Sequence, residues 1–228
     1  MRDLLERILG YLPAYLKNLP DLVQGPKRFV LERLSRKEHQ QEDALVFLAI
    51  SFLIGWILKA SFIRQGFYIE LAADSAFVLA LVFAYGVALC LAWRIVKGRA
   101  EVQQFFVIHF YYSGVLLLIA SCWFMTIVGT LRAFNANLYT RMLENIYQGN
   151  AATFFKANAE SITAAPGLMP VILGGQLGVL TWIFVGWGAY RQLNHASKFR
   201  SGLAAMLFAF FWFPIAAFGF LLANAAVK

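Results

Sequence analysis

Three histidines and a few charges inside apolar runs bound the chemistry open to this chain. His39, His109 and His195 are far apart, and none has a partner at the close spacing that puts two metal ligands on one helix face. The sequence carries no H-E-x-x-H, G-x-S-x-G or phosphate-loop pattern. Three ionisable side chains lie within or at the ends of apolar runs, Lys59, Asp74 and His109, and the amide of Gln176 lies within another. An ionisable group in hydrocarbon is costly, so each is a candidate for function. Lys59, near the end of its run, can instead snorkel to the interface. Asp74 opens the next run and can pair with Arg64 or Lys59. His109, followed by Tyr111, Tyr112 and Ser113, reads as a hydrogen-bonded packing residue, since a proton relay needs a chain of partners. Gln176 reads as a bond between helices. No two deep carboxylates form an acid–base couple. The expectation is a protein that is not an enzyme, with no catalytic residue, metal or cofactor.

The elements that hold these residues are apolar and long. Of the 228 residues, 61% are hydrophobic and 14% charged, against about 45–50% and about 25% in soluble domains. About 20 apolar residues in a helix cross the hydrocarbon core. The pattern predicts an all-α integral membrane protein: a bundle of about five transmembrane helices with an amphipathic N-terminal helix. The spans are expected at 44–63, 72–93, 105–131, 168–190 and 201–226. Residues 1–43 form a basic, amphipathic cytoplasmic segment. Leu4, Leu5, Ile8, Leu9 and Leu12 recur there at helical spacing, so its apolar face can lie in the headgroup plane. Pro13, Pro20 and Pro26 should divide it into short pieces. Asp3, Glu6 and the first prolines rule out the apolar core of a secretory signal. The connection 132–167 carries a stripe of Leu138, Met142, Leu143, Ile146 and Tyr147, continued by Phe154, Phe155 and Ile162. One or two short interfacial helices are expected there, either as a lid packed on the bundle mouth or as a binding site for an external ligand or partner.

The net charge is +8. Without a nucleic-acid motif, it reads as topology and as contact with anionic lipid headgroups, not as nucleic-acid binding. Fourteen lysines and arginines fall in 1–43, 94–104 and 191–200, and five on the opposite side. The richer side is expected in the cytoplasm, which puts the N-terminus inside and the C-terminus outside. Cys90 and Cys122 sit at different depths and read as small apolar residues, not a disulfide.

Small residues mark helix faces. Ala76, Ala80, Ala84, Ala88 and Ala92 are spaced by four, and Gly174, Gly178 and Gly186 repeat the theme, as do Ser51 and Gly55. Such faces let two backbones approach closely, inside the bundle or against a partner. Pro214 should kink the last span, and Trp93 suits an interfacial belt.

Three stretches resemble bacterial members of the Yip family of five-span membrane proteins. They are Val23-Gln-Gly-Pro26-Lys-Arg-Phe29 with Ala44-Leu-Val-Phe-Leu-Ala-Ile-Ser51, Lys97-Gly-Arg-Ala-Glu-Val-Gln-Gln104 running into Phe105-Phe-Val-Ile-His-Phe-Tyr-Tyr-Ser-Gly114, and the basic turn Trp187-Gly-Ala-Tyr-Arg-Gln-Leu-Asn-His195-Ala-Ser-Lys-Phe-Arg200. The resemblance implies an N-inside, five-span bundle without known catalytic residues, set in a bacterial inner membrane. Eukaryotic relatives are associated with membrane traffic and Rab-type GTPases. This chain lacks their Asp-Leu-Tyr-Gly-Pro motif, of which only Gly25-Pro26 is present, so that role is not carried over. The expected function is a scaffold or accessory subunit that binds lipids and other membrane proteins, or itself. Transport of a small solute or lipid is the alternative.

Overall fold

The computed structural model describes residues 2–35, 40–60, 68–148 and 151–226. Among them there are ten helices and no strand. Four stretches are long and apolar enough to cross a membrane: Gln40–Lys59, Ser75–Ile95, Val102–Phe134 and Leu168–Leu193. They belong to α3 (Gln40–Ala60), α4 (Tyr68–Ile95), α5 (Val102–Phe134) and α9 (Leu168–Leu193). This is the pattern of a helical membrane protein. The fifth expected span is helical as α10 (Lys198–Ala226), and Pro214 sits inside it without ending it.

The central element is α5. It packs along α3 on one side and α9 on the other, while α4 packs chiefly on α10 and meets α5 more sparingly. Glycines make these approaches possible. A Cβ on Gly114 of α5 would lie 2.9 Å from the Phe47 ring and the Ser51 hydroxyl of α3, and one on Gly55 would lie 2.6 Å from Ser121 Oγ. Gly186 of α9 receives the Tyr112 ring in the same way. Without water-driven association in the bilayer, such close packing is what holds helices together.

The N-terminal segment departs from expectation. Instead of short pieces, α1 runs unbroken from Arg2 to Gln24 through Pro13 and Pro20. The prolines stand at heptad spacing and both are exposed, so their missing hydrogen bonds fall on one outward face. The opposite face, Tyr15, Asn18 and Leu22, is buried. Of the leucine stripe, Leu12 is exposed, and the side chains of Leu4, Leu5, Ile8 and Leu9 lie outside the described residues. Tyr15 Oη bonds Ser51 Oγ at 3.0 Å, and its ring lies 4.7 Å from that of Phe47. Ser51 stands roughly 16 Å along α3 from its start, at 1.5 Å per residue. Pro26 opens α2 (Pro26–Ser35), where its lack of an N–H costs nothing. Phe29 of α2 meets Tyr111 edge-on at 5.3 Å, and Arg33 donates to Asn18 Oδ1, closing α2 onto α1. Both helices thus lie against the spanning helices rather than apart from them.

At the opposite end, 132–167 folds into α6 (Ala136–Tyr147), α7 (Ala151–Ala157) and α8 (Ala159–Thr163). That is three short helices where one or two were expected, because Asn158 and Ala164–Gly167 add turns. The stripe works as a cap: Leu138, Met142 and Phe154 bury against Val128, Leu131 and Leu168 at the ends of α5 and α9. The side chains of Ile146, Tyr147 and Phe155 fall outside the described residues.

Candidate functional site

His109 is 1% exposed and lies where α4, α5 and α9 meet. Its Nε2 is 2.8 Å from the Val82 carbonyl of α4. A carbonyl can only accept, so Nε2 carries the proton and Nδ1 is left as an acceptor. The Tyr190 hydroxyl of α9 stands 3.4 Å from Nδ1, and Ser113 Oγ 3.4 Å from Nε2. Tyr85 stacks on the imidazole at 5.6 Å. One side chain of α5 thereby ties α4 and α9 to the central helix.

Gly86 makes this bond possible. A Cβ there would lie 2.7 Å from the His109 ring. Gly86 also follows Val82 by one helical turn, so its bare Cα opens the side of that carbonyl to a second donor. The arrangement recurs between α5 and α9. Trp123 Nε1 donates to the Val171 carbonyl at 3.1 Å, and a Cβ on Gly175, one turn after Val171, would overlap the indole. Ring N–H groups away from water need an acceptor, and a helical carbonyl has a spare lone pair. Gly86 was not singled out from the sequence, and Gly175 only beside Gly174 and Pro214 as a faint sign of the discontinuous helices that transport sites use. The usable signal is a glycine inside a span, facing a helix that carries a His or Trp ring N–H.

The other candidates scatter. Lys59 is half-buried beside a pocket shared by Gly55, Trp56, Ser75 and Ser121. The Asp74 side chain and Arg64 lie outside the described residues, and with them the expected pairing. Gln176 is exposed, so it faces away from the neighbouring helices. The alanine stripe splits: Ala88 and Ala92 are buried, Ala84 is half-buried, and Ala76 and Ala80 are exposed. Gly186 is packed, but Gly174 has nothing within 4 Å of a Cβ, and Gly178 has only Ile119 at 3.9 Å. These two border an open apolar groove of about 540 Å³ with Leu19 of α1 and Val115 and Ile119 of α5. Trp93 is not in a lipid-facing belt. It is 1% exposed and packs on Trp187 at 5.2 Å, since the α4–α10 pair meets α9 there. Cys90 and Cys122 are free.

The segments 94–101 and 191–200, each a loop with its flanking helix ends, are joined at the basic end. Asn194 is buried, accepts from the Ala100 N–H at 3.3 Å and donates to the Tyr190 carbonyl at 2.8 Å. Gly98 leaves room for it. Among the described residues no group of three His, Cys, Asp or Glu could hold a metal. Comparison of the chain with protein-family models, curated proteins and solved structures finds no match.

Proposed function

We propose that this chain is a non-enzymatic membrane scaffold or accessory subunit, of the Yip-like five-span kind and set in a bacterial inner membrane with its N-terminus in the cytoplasm. The observation that carries the reading is that Ala76, Ala80 and Gly174 are exposed, and Gly178 meets only Ile119 at 3.9 Å, while other small residues of the same helices are packed. Gly174 and Gly178 form a small-x-x-x-small pair beside an apolar groove, a face that suits a partner's membrane helix. In support of the fifth span and the orientation, α10 is 29 residues long, and the helix ends and loops carrying Arg94, Lys97, Arg99, Arg191, Lys198 and Arg200 are joined through Asn194.

The test is mild extraction from native membranes, then sizing and mass spectrometry of what stays bound. A stoichiometric membrane partner that is lost in a Gly174→Leu, Gly178→Leu double variant, with the chain itself still folded, supports the reading. So does a partner lost on Ala76→Leu with Ala80→Leu. A clean monomer, or complexes indifferent to both pairs of substitutions, overturns it and favours transport.

A further inference from the structure

From Leu12 to Gln24, α1 turns its polar side inward and its apolar side outward. Leu12 is 36% exposed and Leu16 61%, and Pro13, Ala14 and Pro20 are exposed with them. The side chains buried against the bundle are Tyr15, Asn18 and Leu22. Both polar ones are bonded there: Tyr15 to Ser51 of α3 at 3.0 Å, and Asn18 to Arg33 of α2 and to the Tyr11 hydroxyl at 3.4 Å. A helix packed on a protein in water has the opposite order, apolar inside and polar outside. The order found here suits a helix whose outer solvent is hydrocarbon, where polar groups must be met from within the protein. Lys17 and Asp21 are the charged exceptions on this stretch. They are opposite in sign and one turn apart, where they can offset each other, and a lysine can reach out to the headgroups.

Depth gives the same answer independently. The shortest of the four candidate spans, Gln40–Lys59, has 20 residues, about 30 Å, which matches the thickness of the hydrocarbon core. Ser51 is the twelfth of those residues, so the Tyr15 contact falls near the middle of the span. A tyrosine side chain is too short to make that contact from the water. Leu19 borders α5 at Val115 and Ile119, and Val115 stands roughly 20 Å along α5 from its start. The hairpin sits toward the basic end of the bundle, because Lys27 of α2 lies against Gly188, three residues before Arg191 of α9. No span is added, since α2 turns back onto α1 through Arg33 and Asn18.

We infer that the outward face of α1, centred on Leu12 and Leu16, is a lipid-binding surface immersed in the acyl chains of the leaflet at the basic end. The helix is fastened to α3 and α2 by its polar side and meets lipid with its apolar side. This differs from an amphipathic helix resting on the membrane surface, which keeps its polar side in water. The inference rests on the chain being a membrane protein, and it holds whether or not a partner's helix fills the groove beside Gly174 and Gly178.

Spin labels on the full chain in liposomes of phosphatidylethanolamine and phosphatidylglycerol test this. Cys90→Ala and Cys122→Ala remove the native thiols, and single labels follow at Leu12→Cys and Leu16→Cys. Ile57→Cys, on an exposed face of α3, is the lipid reference, and Glu101→Cys, exposed before α5, is the water reference. Collision with oxygen, which concentrates in hydrocarbon, should exceed collision with a water-soluble nickel chelate at both α1 sites, as at Ile57. A nickel response like that of Glu101 overturns the inference by placing the face in water. Low access to both reagents overturns it too, by showing that protein covers the face. Leu16→Asp, made in the native chain, gives a second reading. A charge forced into acyl chains should release α1 and raise protease cleavage within 2–35 by roughly tenfold or more, with the spans still protected. Cleavage unchanged by that charge overturns the inference.

Discussion

Gly174 and Gly175 are adjacent on α9, yet an added methyl should have opposite consequences at the two positions. At Gly175 the Cβ would overlap the Trp123 indole, a rigid, half-buried ring at the edge of the open groove. Overpacking of this kind costs about 1–3 kcal/mol. The ring can yield only by withdrawing from the Val171 carbonyl, to which it donates at 3.1 Å; losing that bond adds about 0.5–1.5 kcal/mol. Gly175→Ala should therefore destabilise by about 2–4 kcal/mol. Gly174→Ala meets nothing within 4 Å. A spanning helix stays helical when its tertiary contacts are lost, so the usual propensity gain of alanine is small and the change should be near neutral. The assay is reversible unfolding in mixed micelles with rising denaturing detergent, followed by tryptophan fluorescence. Equal shifts for the two variants, or a stable Gly175→Ala with the Trp123 emission unchanged, would refute the claim that this glycine opens the carbonyl to the ring.

Three further outcomes follow from named contacts. Gly86→Ala should push the His109 ring off the Val82 carbonyl and lower the unfolding midpoint; His109→Ala made on top of it should cost much less than in the native chain, a non-additivity that a double-mutant cycle reads. Tyr15→Phe should loosen α1 from α3 by about 0.5–1.5 kcal/mol, raising protease cleavage within 2–35 while leaving the spans protected. Asn194→Ala leaves the buried Ala100 N–H without its acceptor, at about 1–3 kcal/mol, and should speed amide hydrogen exchange in both 94–101 and 191–200 at once; faster exchange in one loop alone would contradict the joint.

The existence and rough limits of the apolar helices were legible, because the length of an apolar run is a one-dimensional property. The spanning helices overran the expected limits by up to four residues, since helices continue past the hydrocarbon into their polar ends: α3 begins at Gln40 and α5 at Val102. The cap on the Phe134 end was legible too, because α6 lies at a boundary and keeps a contrast between its Leu138–Met142 face and its charged face. The course of α1 was not. Proline spacing signals breaks unless both rings point outward, and that depends on what Tyr15 and Leu22 pack against.

The phase of each span was the least legible feature, and the reason is physical. In water, the side of a helix that faces the core is marked by its lack of polar residues. In a bilayer every side is apolar, so that mark is erased. Spacing by four still identifies a stripe of small residues, but not which stripe meets a neighbour. On α9 Gly175 touches Trp123 and Gly186 touches Tyr112, while Gly174, next to Gly175, stays open. On α4 the alanine stripe drifts from exposed at Ala76 and Ala80 to buried at Ala88 and Ala92, and the closest approach to α5 falls on Gly86, outside the stripe. Phase is decided by which ring N–H of α5 can reach a carbonyl left bare by glycine, a condition that exists only once two helices are side by side. The small residues left over by that choice, Gly174 and Gly178 among them, are free for a second helix, and this is why the exposed stripe rather than the buried one marks the face to test for a partner.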